Sequence, residues 1–193
     1  MHKRFDAEYY RRFYEHRPVH TPGSVAHLAT GVFHLASWWG VRIASVLDVG
    51  AGPGYWRDWF RKHHPDVKCL SVDVSEYACE RYGHERRDIS EWSPRAPSDL
   101  VVCQGVLQYL DDARAERAIE NLAEATRELL YLEAPTSHDH EHVIDGDATD
   151  LECHWRTGAW YRLRLTSHFT QVGAGLWAKR DRGVPFYELE RAR

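Results

Sequence analysis

Four apolar runs, "ASVLDVG", "VKCLSVDV", "SDLVVCQG" and "ELLYLEAP", are separated by longer stretches in which apolar residues recur at helical intervals. Uninterrupted apolar runs of this length fit strands buried on both faces, and the intervening helices are long enough for right-handed crossovers, so the pattern predicts a parallel α/β sheet. A further short strand is expected around "GHERRD", because two crossovers are otherwise hard to space. Before the first strand, "FDAEYYRRFYEHR" gathers its aromatics on one side of a short helix. "TPGSVAHLATGVFHLASWWG" follows as a second helix, with Gly40 as its stop. Near the end, "AWYRLRLTSHF" reads as a helix, and "TQVGAGLWAKR", a turn at "DRGV" and "PFYELER" read as a closing antiparallel hairpin.

At 193 residues the chain suits one domain with a substantial core. Residues 1–42 are expected to be helical and to precede a doubly wound α/β core over 43–193. Residues 135–160 within that core, polar and too long for a routine connection, form a substrate-side loop. A net charge of -4 disfavours nucleic acid as a partner. No apolar run approaches a membrane span, and the opening "MHKRFDAEYYRRFY" is unlike a signal peptide, so a cytoplasmic protein is expected. Cys69, Cys79, Cys103 and Cys153 are too scattered for a zinc cage or a disulfide framework. Lysine occurs only at positions 3, 62, 68 and 179, with arginine elsewhere, which hints at a GC-rich bacterial source.

The chemistry concentrates in "VLDVGAGPGYW". In a doubly wound sheet the ligand lies beyond the carboxyl ends of the strands, and the first turn must let backbone approach it. Gly50, Gly52 and Gly54 supply that approach, and Pro53 suits the first turn of the next helix. Dinucleotide binding would want G-x-G-x-x-G, but Tyr55 stands where the third small residue belongs. Asp48 would repel a pyrophosphate and attract an amine. Asp73 ends the second strand, where a carboxylate can hold both ribose hydroxyls. Asp88 can take an adenine amino group, with Ile89 against the ring.

In these blocks, and in "RRDIS" and "SDLVVCQGVLQYLDD", the chain resembles the class I S-adenosylmethionine-dependent methyltransferases. The resemblance implies a seven-stranded sheet of order 3-2-1-4-5-7-6 with the last strand antiparallel, and S-adenosylmethionine as cofactor. It implies cofactor contacts at Asp48, Gly50, Gly52, Gly54, Asp73, Asp88, Ile89 and Gln104. It also implies that residues 1–42 form a helical lid over a Rossmann-like core of residues 43–193; Tyr14, in that lid, would reach the methionyl carboxylate, and Tyr9 and Tyr10 share its helix and either pack it or join the cover. Tyr109 stands where many members of the family carry a histidine.

For a base, the loop offers His138, His140 and His154 as candidates, since an imidazole titrates near neutral pH. "HDHEH" with Asp145, Asp147, Asp150 and Glu152 could ligate a metal, but a solvated loop is the commoner outcome and no metal is expected. Trp155, Trp160 and Tyr161 are either core or pocket wall. The expected reaction is methyl transfer to a small-molecule acceptor in bacterial specialised metabolism. The rivals are a cofactor-binding sensor subunit without turnover, and a cyclisation or decarboxylation on the same fold.

Overall fold

A computed structural model describes residues 4–16 and 18–192. Residues 1–3, 17 and 193 lie outside it, among them Arg17, the end of the first predicted helix, and part of the opening segment. The strands are β1 (Ser45–Val49), β2 (Lys68–Asp73), β3 (Glu85–Arg86), β4 (Ser98–Gln104), β5 (Thr126–Glu133), β6 (Phe169–Gly173) and β7 (Leu176–Lys179). They form one sheet of order β3-β2-β1-β4-β5-β7-β6. The first five run parallel, and β7 lies antiparallel between β5 and β6. This is the Rossmann-like sheet the sequence led us to expect.

The apolar runs behave as doubly buried strands. Leu47, Leu100, Val101, Leu129 and Leu130 are all 0% exposed, and each fully buried aliphatic side chain contributes about 1.5–3 kcal/mol. One face packs against α2 (Pro22–Trp38) and α3 (Tyr55–His63) through Val25, Ala29, Val32, Trp59 and Phe60. The other packs against α5 (Asp112–Ala125) and α7 (Gly158–Leu165) through Ile119, Leu122 and Leu165. Helix α2 starts at a Thr21–Ser24 capping box with Pro22 in its first turn, and Ser75 caps α4 (Glu76–Tyr82). At the amino-terminal edge of the sheet, Asp99 accepts the Ala44 and Ser45 amides at 2.9 Å each, fixing β1 beside β4.

Three sequence expectations change. The closing hairpin lies wholly within "TQVGAGLWAKR" and the Phe169 before it, turning at Ala174–Gly175, where Ala174 has φ 48° and Gly175 φ 79°. "PFYELER" holds a 3-10 turn, Glu188–Glu190, because β7, which it follows in the chain, already has β5 on one side and β6 on the other. Pro53 precedes α3, which begins at Tyr55 behind a left-handed Gly54 at φ 84°. Of the predicted lid, α2 is part of the core layer, while α1 (Ala7–Tyr10) and the π-helical turn Arg11–His16 lie over the carboxyl ends of the strands.

Candidate functional site

Beyond the carboxyl ends of β1, β2 and β4 lies a cleft enclosing about 270 Å³. Its floor is Val49, Gly50, Gly52, Asp73, Asp88 and Ile89, and Gly105 and Val106 form the side beyond β4. Its roof is aromatic: Phe5, Tyr9, Tyr10 and Tyr14, met by Tyr109. Ligand pockets usually run to roughly 300–1,000 Å³. The wall that narrows this one is the N-terminal segment, whose Tyr14 hydroxyl would stand 3.3 Å from a Cβ on Gly52.

Each glycine of the turn is bare for a definable reason. At Gly50, with φ 66°, an added Cβ would come within 2.3 Å of Val106 Cγ2. At Gly54 it would meet Arg57 Nη2 at 2.5 Å and His84 Cε1 at 3.2 Å, so this glycine serves the packing of α3 rather than the cleft. Of the three glycines of the turn, Gly50 and Gly52 line the cleft and Gly54 does not.

Asp73 holds the turn in place. Its Oδ2 accepts the Gly52 amide at 2.9 Å and its Oδ1 the Ser75 amide at 2.8 Å. Burial pushes its carboxyl above the usual range, and those two amides pull it back. Asp48 sits below the turn, 2% exposed and outside the cleft lining, and its Oδ2 has no hydrogen-bond partner. Burial, with the Asp73 charge next, pushes the Asp48 carboxyl up to about 7. Asp88 lines the cleft with Ile89, its Oδ1 accepting from Ser90 and its Oδ2 pairing with Arg114 at 2.5 Å. Every arginine of the lining is paired: Arg114 with Asp88, Arg4 with Asp150 at 2.9 Å, and Arg87 with Glu85 at 3.3 Å. Among the described residues the site therefore offers carboxylates and aromatic faces, and no unpaired arginine for a phosphate.

Gln104 ends β4 outside the cleft lining, in a network the sequence did not announce. It accepts from Trp56 Nε1 at 2.9 Å and donates to Glu133 at 3.2 Å. Glu133, at the end of β5, also accepts from Tyr131 at 3.0 Å and pairs with His20 Nε2 at 2.9 Å. The hydrogen bond to Glu133 raises the His20 imidazole above its ordinary value, against its burial.

The candidate bases of the loop do not line the cleft. His138, His140 and His154 are exposed. His138 stacks on His142 at 4.3 Å along the short α6 (Ser137–His142), and His140 packs on Trp155 at 4.2 Å. The end of the loop is instead drawn to the roof, where Arg4 holds Asp150 and contacts the Glu152 carbonyl, and Tyr9 meets Tyr109 hydroxyl to hydroxyl at 2.9 Å. Burial raises both phenols, so the pair stays neutral through the physiological range. Trp160 and Tyr161 pack on the α5 side of the core. Among the described residues no cluster of His, Cys, Asp or Glu is arranged to hold a metal, and no helix is long and apolar enough to cross a membrane.

Sequence reasoning missed Arg4, Arg87, Val106 and Arg114 in the lining, and His20, Arg57 and His84 around it. Arg87, Val106 and His84 lie inside the quoted blocks but nothing in those blocks singles them out; Arg4, Arg114, His20 and Arg57 reach the site through contacts between distant segments.

Residues 26–188 match the family described as methyltransferase domain. A trans-aconitate 2-methyltransferase of Azoarcus is 30% identical over 76 residues, covering 36% of this chain and 30% of that protein, so the matched segment spans under a third of the relative. Among solved structures, the S-adenosylmethionine-bound amino pentose methyltransferase CalS10 of Micromonospora echinaspora aligns with TM-score 0.60 at 14% identity, over 84% of this chain and 92% of that one. The PH0226 protein of Pyrococcus horikoshii aligns with TM-score 0.59 at 15% identity, over 90% and 97%. At these identities the structural likeness concerns the fold.

Proposed function

The chain belongs to the methyltransferase domain family, and from that premise we propose that it transfers a methyl group from S-adenosylmethionine to a small-molecule acceptor. The observation that carries this reading is the glycine turn pinned to a buried Asp73 beside Asp88 and Ile89, in a cleft whose cations are all neutralised. The residues present suit the cofactor: a carboxylate at the end of β2 for ribose hydroxyls, Asp88 and Ile89 for adenine, and the orphaned Asp48 oxygen as an anionic attraction for the methionyl ammonium. A pyrophosphate would meet carboxylates there, and the described arginines of the lining are already paired with carboxylates.

Bound, S-adenosylmethionine supplies an electrophilic methyl group on a cationic sulfur. What remains for the protein is alignment and proton removal, and alignment alone is worth roughly 7–11 kcal/mol in favourable intramolecular systems. The aromatic roof covers the cleft with Phe5, Tyr9, Tyr10 and Tyr14. Where the acceptor carries a proton, His20 is the imidazole beside the strand ends that can take it, at Nδ1, with Nε2–H held by Glu133. Like His20, the loop histidines do not line the cleft, but His138 and His140 are turned onto His142 and Trp155, away from the carboxylate that orients His20. An acceptor of the size handled in specialised metabolism is consistent with a roof made of side chains alone.

Calorimetric titration with S-adenosylhomocysteine tests the reading. Binding with a Kd in the micromolar range or tighter is expected, and no heat at about 100 µM ligand, where a complex weaker than roughly 5–6 kcal/mol would escape detection, would remove the cofactor from the account.

A further inference from the structure

His84, in the link between α4 and β3, is 8% exposed and takes no part in the reading above except through the backbone it touches. Its Nε2 lies 2.9 Å from the Gly52 carbonyl, and its Nδ1 lies 2.8 Å from Ser71 Oγ and 3.2 Å from Arg57 Nη1. A carbonyl only accepts, so Nε2 carries the proton and donates to Gly52. Nδ1 is then the acceptor, taking the Ser71 hydroxyl and the Arg57 N–H. Arg57 is itself buried, 5% exposed, and donates from the same Nη1 to the Tyr82 carbonyl at 2.6 Å. Gly52 is thereby held at both ends, its N–H on Asp73 and its C=O on His84.

We propose that His84 is the positioning residue of the cofactor turn: its neutral imidazole fixes the Gly52 carbonyl, so that the Gly52 amide stays on Asp73 and the turn keeps the shape the cofactor needs. The inference rests on the cofactor reading of the cleft and goes beyond it by naming what holds the turn. A second proton has no place in this arrangement. It would sit on Nδ1 facing the Arg57 guanidinium, turning an acceptor–donor contact into two opposed donors, and Ser71 would have to reverse its hydroxyl. The charged or titratable groups around the ring are Arg57 and Asp58 from α3, Asp73 from β2 and Tyr82 from α4. Burial and the Arg57 charge outweigh the pull of the two carboxylates and of the Gly52 carbonyl, and the imidazole lies below its ordinary value.

The sign follows from that direction. His84 is neutral near pH 7 and gains its proton only below the ordinary histidine range. Stability and cofactor affinity are therefore both intact at neutral pH and fall as the solution is acidified through the lowered value. The experiment compares wild type, His84→Gln and His84→Phe by calorimetry with S-adenosylhomocysteine between about pH 5 and 8. An NMR titration of the His84 ring and the Gly52 amide in the unliganded protein accompanies it. Glutamine can donate to Gly52 and accept from Ser71 without titrating; phenylalanine fills the volume and does neither.

At neutral pH the Phe variant is expected to bind about tenfold or more weakly, and the Gln variant within about threefold of wild type, tenfold being about 1.4 kcal/mol. In acid the wild-type affinity is expected to fall faster than that of the Gln variant. Asp48 titrates in all three proteins, so this difference isolates the imidazole. A merely structural histidine would lower the melting temperature of both variants and leave the two pH curves superimposed. Superimposed curves, or a Gly52 amide that does not respond as His84 titrates, would overturn the proposal, even should the Phe variant fail to fold. A wild type that binds no S-adenosylhomocysteine at any pH would sink the cofactor reading first and this inference with it.

Discussion

At the floor of the cleft, Gly52 is tied to Asp73 and His84, 21 and 32 positions away, by hydrogen bonds that each use a backbone group. At the roof, Arg4 reaches Asp150 across 146 positions and Tyr9 reaches Tyr109 across 100, and these are ties of side chain to side chain. The floor groups are buried and their geometry is fixed by dihedral angles that few residues can adopt. The roof groups are long, partly exposed side chains, and an ion pair of that kind is worth only about 0–1 kcal/mol. The floor of the cleft is thus rigid by construction, and the roof is held by weak, replaceable contacts, which suits a surface that must open to admit ligands.

The comparison breaks most directly at Asp73. Replacing it with alanine removes the acceptor for two buried amides and for the proposed ribose hydroxyls. Hydrogen bonds to a charged group are worth about 1.5–3 kcal/mol each. Affinity for S-adenosylhomocysteine is expected to fall about a hundredfold or more by calorimetry, equal to at least about 2.7 kcal/mol. Unchanged affinity would mean that the floor does not hold the nucleoside.

Next in size is Gly50→Ala. Its φ of 66° strains any L residue by about 1–3 kcal/mol, and the new Cβ would meet Val106 Cγ2 at 2.3 Å. A loss of about 2–3 kcal/mol is expected, seen as a fall in melting temperature of roughly 4–12 °C for a chain of this size. Adding Val106→Ala should return part of it, since the clash goes and the dihedral strain stays. A double variant no better than the single would show that the backbone alone sets the cost.

These two positions also explain what could be read beforehand. The parallel strands were legible because residues such as Leu47, Val101 and Leu130 make continuous apolar runs, and the turn because three glycines in five residues have few structural uses. Gly54 was legible as a glycine and misread as to purpose, since its neighbours Arg57 and His84 meet only once α3 and β3 are in place. Likewise "PFYELER" has strand-like composition, and only the sheet order reveals that β7, the strand before it, is already paired on both sides by β5 and β6. His20 and Glu133 carry no shared pattern at all; strand register sets Glu133 beside Gln104, and the segment ahead of α2 brings the imidazole.

Asp48→Asn sharpens the comparison within the floor itself. The folded carboxyl sits up at about 7 against an ordinary 3.8, so the folded protein binds more protons than the unfolded chain between these values. Stability from this group therefore declines as pH rises through that window, the reverse of a salt-bridged aspartate. The asparagine variant, which ends the burial of a charge, is expected to be clearly more stable than wild type at pH 8 and nearly level with it near pH 4. It should also bind S-adenosylhomocysteine more weakly, having lost the anionic attraction for the ammonium. Thermal melts at the two pH values check the first half and calorimetry the second; a variant destabilised at pH 8 would show the carboxylate has a partner in solution.

The smallest effect belongs to the roof. Tyr9→Phe removes one hydroxyl of the Tyr9–Tyr109 pair and leaves the ring contacts with Phe5, Tyr10 and Phe13 in place. Losing one neutral hydrogen bond between partly buried groups costs about 0.5–1.5 kcal/mol. That cost should fall on the closed position of segment 4–16 rather than on global stability, because the sheet and its two helical layers do not depend on it. Amide hydrogen exchange in residues 5–16 is expected to quicken by up to roughly tenfold while exchange in β1 and β4 stays unchanged. Since burial holds both phenols well above their ordinary range, the difference between variant and wild type should be constant from about pH 6 to 9. Were β1 amides to quicken equally, the roof would be part of the same cooperative unit as the floor, and the division drawn between them would fail.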